Sequence, residues 1–157
     1  MLFEFGQYQI DVDVEKTKTF YTKANVVSDG CSCDGCRNYE RAIGTLSHEI
    51  ISFFDKLGVD MKKVCEVYVN CKNSDGTLLY GGFCHICGVL LLGENEWVSD
   101  SASASHWEDG KSFPITDSFH ISFQKECSLL ENEFPLPALQ MEISANIPWV
   151  LPEDNRY

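Results

Sequence analysis

Over residues 8–14 the side chains alternate, with Tyr8, Ile10, Val12 and Val14 on one side and Gln9, Asp11 and Asp13 on the other. A period of two with one polar row predicts a strand with one wet face. The pattern returns at Cys65, Val67, Val69 and Cys71 against Glu66, Tyr68 and Asn70, which turns both cysteines toward the core. It returns again at Phe119, Ile121 and Phe123, with His120 on the polar side, and most regularly over 139–147. Residues 19–22, Thr-Phe-Tyr-Thr, read as a further short strand. After the turn Asn73-Ser74-Asp75-Gly76, residues 77–80 return as a hairpin partner, and Gly81-Gly82 marks a bulge or a close backbone approach. Residues 83–92 are apolar on both faces and predict the central strand.

One segment keeps helical spacing instead. Tyr39, Ala42, Ile43, Leu46, Ile50, Phe53, Phe54 and Leu57 recur at steps of three and four, predicting one amphipathic helix over about 38–57. Asn38 or Asp34 is its expected cap, and Gly58 its left-handed stop. Asp60-Met61-Lys62-Lys63 adds one further helical turn. Residues 93–112 shift to Ser, Ala, Asp, Glu and Gly around Trp97 and Trp107, a polar, mobile loop whose tryptophans tuck back on the core or form a lid. These elements define an α+β fold, a largely antiparallel sheet of six or seven strands packed by one main helix.

At 157 residues and 44% hydrophobic, the chain has apolar material for one core, so a single globular domain over 1–157 is expected. No apolar run reaches the roughly 18 residues of a membrane span. The start Met1-Leu2-Phe3-Glu4-Phe5 lacks the basic-then-apolar order of a secretory leader, which places the protein in the cytoplasm. A formal charge of −12 repels nucleic-acid phosphates and anionic membrane surfaces, and suits solubility or a basic protein partner.

A reducing compartment changes the meaning of the eight cysteines, because it leaves metal binding, redox chemistry or burial in place of structural disulfides. Two clusters stand out, Cys31-Ser32-Cys33-Asp34-Gly35-Cys36 and Cys84-His85-Ile86-Cys87-Gly88. Each holds a pair of cysteines two residues apart, the spacing with which a short turn brings two thiolates onto one zinc ion. The expected tetrahedral set is Cys33, Cys36, Cys84 and Cys87, with Cys31 and His85 as spare ligands, although the spacer exceeds that of a zinc ribbon. Two other readings remain open. The cysteines are small, inert core residues, or Cys33 and Cys36 form a redox pair ahead of a helix N-terminus. No glycine-rich phosphate loop, serine elbow or paired-histidine motif supports another catalytic chemistry.

Cys31-Ser32-Cys33-Asp34-Gly35-Cys36-Arg37-Asn38-Tyr39, Glu66-Val67-Tyr68, Tyr80-Gly81-Gly82-Phe83-Cys84-His85 and the closing Ile147-Pro148-Trp149-Val150-Leu151 resemble a family of small bacterial proteins of unknown function. The resemblance spans nearly the whole chain. In that family the second segment often carries the histidine without flanking cysteines. The resemblance therefore implies that Cys84 and Cys87 are particular to this chain, and moves weight to Cys31, Cys33 and Cys36 with His85. It brings no activity with it. The expectation is a non-enzymatic domain with a structural zinc, acting through protein contacts; the alternatives are a thiol enzyme using Cys33 and Cys36, and an acidic inhibitor or immunity-type protein.

Overall fold

The computed structural model describes residues 1–95, 97–108 and 110–157. Its architecture is α+β, a seven-stranded antiparallel sheet packed by helices on one face. In chain order come β1 (Leu2–Phe5), β2 (Tyr8–Val12), α1 (Val14–Lys23), the single turn α2 (Val27–Gly30), α3 (Asp34–Ile43) and α4 (His48–Leu57). A 3-10 turn (Met61–Lys63) leads into β3 (Glu66–Lys72) and β4 (Leu78–Leu92), then the hairpin β5 (Trp97–Ser101) and β6 (Ala104–Trp107). The chain closes through β7 (Phe113–Thr116), β8 (Phe119–Gln124) and β9 (Ala138–Ile147). The sheet runs β1-β2-β4-β9-β8-β7, with β3 also on β4, and the β5–β6 hairpin stands apart from it. No helix among the described residues is long and apolar enough to cross a membrane.

Several expectations are corrected. Residues 19–22 are helical, inside α1, because Asp13 caps that helix by accepting from the Lys16 amide and its buried positions Thr17 and Tyr21 lie one turn apart. The helix expected over 38–57 is two helices. Gly44 ends α3 and Ser47 precedes α4, and the apolar spacing runs across the break because Leu46 packs on the core from the connecting loop. Cys65 and Cys71 are exposed rather than buried. Cys65 precedes β3, and a register shift between Val69 and Cys71 re-aims the second cysteine. Within 93–112 the chain forms the β5–β6 hairpin, whose Trp97 and Trp107 rings meet edge to face.

The 15-residue strand β4 organises the sheet. One flank pairs with β9 over Leu78 to Cys87. The other is shared, Leu78 to Phe83 with β3 and Gly88 to Leu92 with β2. Between those partners α1 completes the ladder with side chains. The Tyr21 hydroxyl donates to the His85 carbonyl at 2.8 Å and accepts from the His85 amide at 3.3 Å. The Thr17 hydroxyl accepts from the Cys87 amide at 3.0 Å, and the Asp13 amide donates to the Cys87 carbonyl at 2.8 Å. Gly88 then lets β2 approach, since a Cβ there would lie 2.3 Å from the Asp11 carbonyl oxygen.

Core side chains follow the alternation: Tyr80, Cys84 and Ile86 of β4, Met141 and Ile143 of β9 and Phe123 of β8 share a cluster with Tyr39 of α3 and Phe54 of α4. Replacing Tyr21 by Phe keeps the ring and strands two buried backbone groups. Tyr21→Phe is expected to lower the unfolding free energy by about 1–3 kcal/mol in urea denaturation. A change below about 0.5 kcal/mol, the size of a neutral surface substitution, would show that the gap in the ladder needs no stitch.

Candidate metal centre

Three thiols converge where the chain steps from α2 into α3. The Cys31 amide closes α2 on the Val27 carbonyl, and Cys31 (φ −149°, ψ 112°) and Cys33 (φ −65°, ψ 160°) are both extended. Cys33 is the cap residue of α3 and Cys36 lies in its first turn. The Cys31 and Cys33 sulfurs are 3.3 Å apart, and the sulfurs of Cys31, Cys33 and Cys36 all lie within 4.8 Å of one another. A tetrahedral zinc with bonds of about 2.3 Å sets its sulfurs roughly 3.8 Å apart, so the cluster is near the needed size. Three donors leave one position of that tetrahedron for a ligand from outside the cluster.

Electrostatics divide the thiols. The Cys33 amide and the Cys33 and Cys36 thiols beside it hold the exposed Cys31 thiol below its ordinary range. Burial pushes the Cys36 thiol up, and the two neighbouring sulfurs add to that. Adjacent sulfurs that cannot all ionise freely favour a shared cation that neutralises them together.

The cluster is held from behind. Buried Asn38 donates to the Tyr80 hydroxyl and to the Pro148 carbonyl, both at 3.1 Å, and accepts from the Val150 amide at 2.8 Å. Tyr80 donates to the Gly35 carbonyl at 2.8 Å, and burial pushes its phenol up to about 12. Arg37 bridges Asp34 at 3.0 Å and Glu153 at 2.9 Å. The Tyr157 hydroxyl closes over Gly35, lying 2.7 Å from where a Cβ would stand. The first turn of α3 is thereby fixed to β4 and to the chain after β9.

The second cysteine cluster is elsewhere. Among the described residues, Cys31, Cys33 and Cys36 form the one group of three or more sulfur, imidazole or carboxylate donors at metal-binding distances, so the structure does not join Cys84 and Cys87 to Cys33 and Cys36. Tyr80 is the β4 residue that meets the first turn of α3, and Cys84 lies roughly 13 Å further along the strand at about 3.3 Å per residue. Cys84 and Cys87 are three apart on an extended strand and face opposite sides. Cys84 is in the core, its thiol pushed up by burial. His85 is also buried, 3.3 Å from Gln140 through Nε2 and packed on Phe83 and Phe134, and burial lowers its pKa. Of the other histidines, His106 pairs with Asp100 at 2.9 Å and His120 lies 3.0 Å from the Ser112 hydroxyl.

A polar cluster missed by the sequence reading lies on the outer face of the sheet. Glu142, on the side of β9 that the alternation marks as wet, is only 4% exposed. Its carboxylate accepts from Gln124, Gln140 and Trp97. The hydroxyl of fully buried Ser122, paired across the strands with Glu142, has no hydrogen-bond partner among the described residues. The tryptophan-bearing segment was the available signal: an aromatic residue inside a polar connection is material for covering a polar face.

Two measurements follow. With a neutral alkylating reagent at neutral pH, the metal-free protein is expected to label at Cys31 first and at Cys84 last, read by peptide mapping; early labelling at Cys84 would contradict the packing of β4. Burial raises the pKa of Glu142 above 4.5, so its contribution to stability is full below that value and is lost as pH rises through the folded pKa. The stability of Glu142→Gln relative to the parent should therefore grow with pH above 4.5, and a flat difference would mean that the carboxylate is effectively solvated. Compared with protein-family models, curated proteins and solved structures, the chain matches none of them.

Proposed function

We propose that the protein is a non-enzymatic α+β domain in which Cys31, Cys33 and Cys36 hold a structural zinc ion, and that it acts through contacts with another protein. The observation that carries this is the convergence of three sulfurs within 4.8 Å at the start of a helix tied to the central strand. Zinc is the ion of choice because it takes thiolates in tetrahedral sites, needs no redox chemistry and stabilises folds outright. A ligand from solvent or from a partner completes the set.

Protein contact is supported by the far edge of the sheet. Leu2, Asp11 and Val89 sit side by side on β1, β2 and β4, and Leu2, Val89, Leu91 and Leu92 are exposed apolar residues. Apolar side chains beside carboxylates on a chain of net charge −12 suit a basic partner, as an inhibitor or immunity-type protein would have. The thiol-enzyme reading retains one supporting observation, an exposed Cys33 capping α3 with buried Cys36 in its first turn.

Elemental analysis of protein purified without chelator is expected to find one zinc per chain. Free zinc at about 100 times its Kd should raise the unfolding free energy by about 2.7 kcal/mol. Cys33→Ser should lose the ion, and Cys87→Ser should keep it. Absence of zinc, or its loss in Cys87→Ser, would overturn this ligand set.

A further inference from the structure

We infer that Cys31 and Cys33 form an oxidisable dithiol, which a hydroperoxide closes to a disulfide that ejects the ion held by the cluster. Ejection of the ion rests on the zinc reading above, whereas closure of the pair does not.

Three observations select this pair. The two sulfurs are already 3.3 Å apart, against about 2.05 Å in a disulfide, and both residues are exposed. Both are extended and lie outside the helices, at the end of α2 and the start of α3, so no helical hydrogen-bond ladder has to yield for their side chains to turn toward each other. Cys36 is buried, in a helical turn fixed by the Gly35 carbonyl on Tyr80 and by Asn38 on the chain at Pro148 and Val150. Bringing Cys36 into a disulfide would pull on that turn, whereas joining Cys31 to Cys33 rotates two side chains in a solvent-facing link.

The chemistry closes without another group. A Cys31 thiolate attacks the terminal oxygen of the hydroperoxide: an S–O bond forms, the O–O bond breaks, and the departing hydroxide (or, from an organic hydroperoxide, alkoxide) takes a proton to become water or an alcohol. The Cys33 thiolate then attacks the Cys31 sulfur; the S–S bond forms and the S–O bond breaks, releasing a second hydroxide as water. Two thiols supply the two electrons that reduce the peroxide. Of the three sulfur donors only Cys36 remains, and a single thiolate does not retain zinc. Two equivalents of a small-molecule thiol reverse the step by exchange through a mixed disulfide, and the cluster can refill.

The test doses reduced, zinc-loaded protein with hydrogen peroxide and follows zinc with a chromophoric chelator too weak to strip the reduced protein. The tryptic peptide 24–37, which holds all three cysteines, is then sequenced by tandem mass spectrometry after alkylation. The expected result is loss of two hydrogens within 31–33, an alkylatable Cys36, zinc release in step with that loss, and reversal by dithiothreitol. Cys36→Ser should still form the disulfide, and Cys31→Ser and Cys33→Ser should not. A disulfide between Cys33 and Cys36, a sulfinic acid at Cys31 without a disulfide, or intact thiols after treatment would each overturn the inference. If the reduced protein takes up no zinc and the 31–33 disulfide still forms, the metal reading fails and the dithiol stands. If zinc is bound and peroxide changes neither thiols nor zinc, the dithiol fails and the metal reading stands.

Discussion

The fold depends on how one strand satisfies its buried backbone. β4 lies between β9 on one side and, in succession, β3 and β2 on the other, and its second flank has a gap where neither partner reaches. A buried amide without a partner costs as much as several favourable contacts supply. Tyr21, Thr17 and Asp13 fill the gap, so α1 is a functional part of the sheet as well as a cover for it. With β4 fixed, Tyr80 can hold the carbonyl of Gly35, and the first turn of α3 takes its place with three thiols around it.

Much of the fold was legible because period-two patterns survive wherever one sheet face is buried: β2, β8 and β9 carry their core residues where the alternation put them. The failures have local causes. α1 contains residues of strand preference, yet Asp13 caps it and its role beside β4 holds it helical. The break between α3 and α4 is invisible to periodicity, since Leu46 keeps the spacing from the loop. β1 and β7, with four residues each, are too short for alternation to register.

The candidate metal centre was half legible. Cys31, Cys33 and Cys36 flank a helix start, where spacing and local geometry agree, and the structure brings them together. Cys84 and Cys87 have the same spacing on a strand, where positions three apart diverge; spacing alone carries no ligand information until the backbone is known. Burial of Glu142 left only an indirect sign, the tryptophan-bearing segment, because its cover comes from Trp97, far away in sequence, and a wet face and a covered polar face share one pattern.

The anchor of α3 also bears on when the site can exist during biosynthesis. Asn38 is 110 positions from its carbonyl partner Pro148 and 112 from Val150, and β4 pairs with β9 only once residues 138–147 have emerged. A ribosome-bound chain therefore presents the three cysteines on an unanchored helix start long before the residues that hold it leave the exit tunnel. Pairings of such sequence separation form late and slowly. Alignment of the three thiols is thus tied to synthesis of the chain through residue 150, and a nascent chain that stops short of it would carry the thiols without the frame that aligns them.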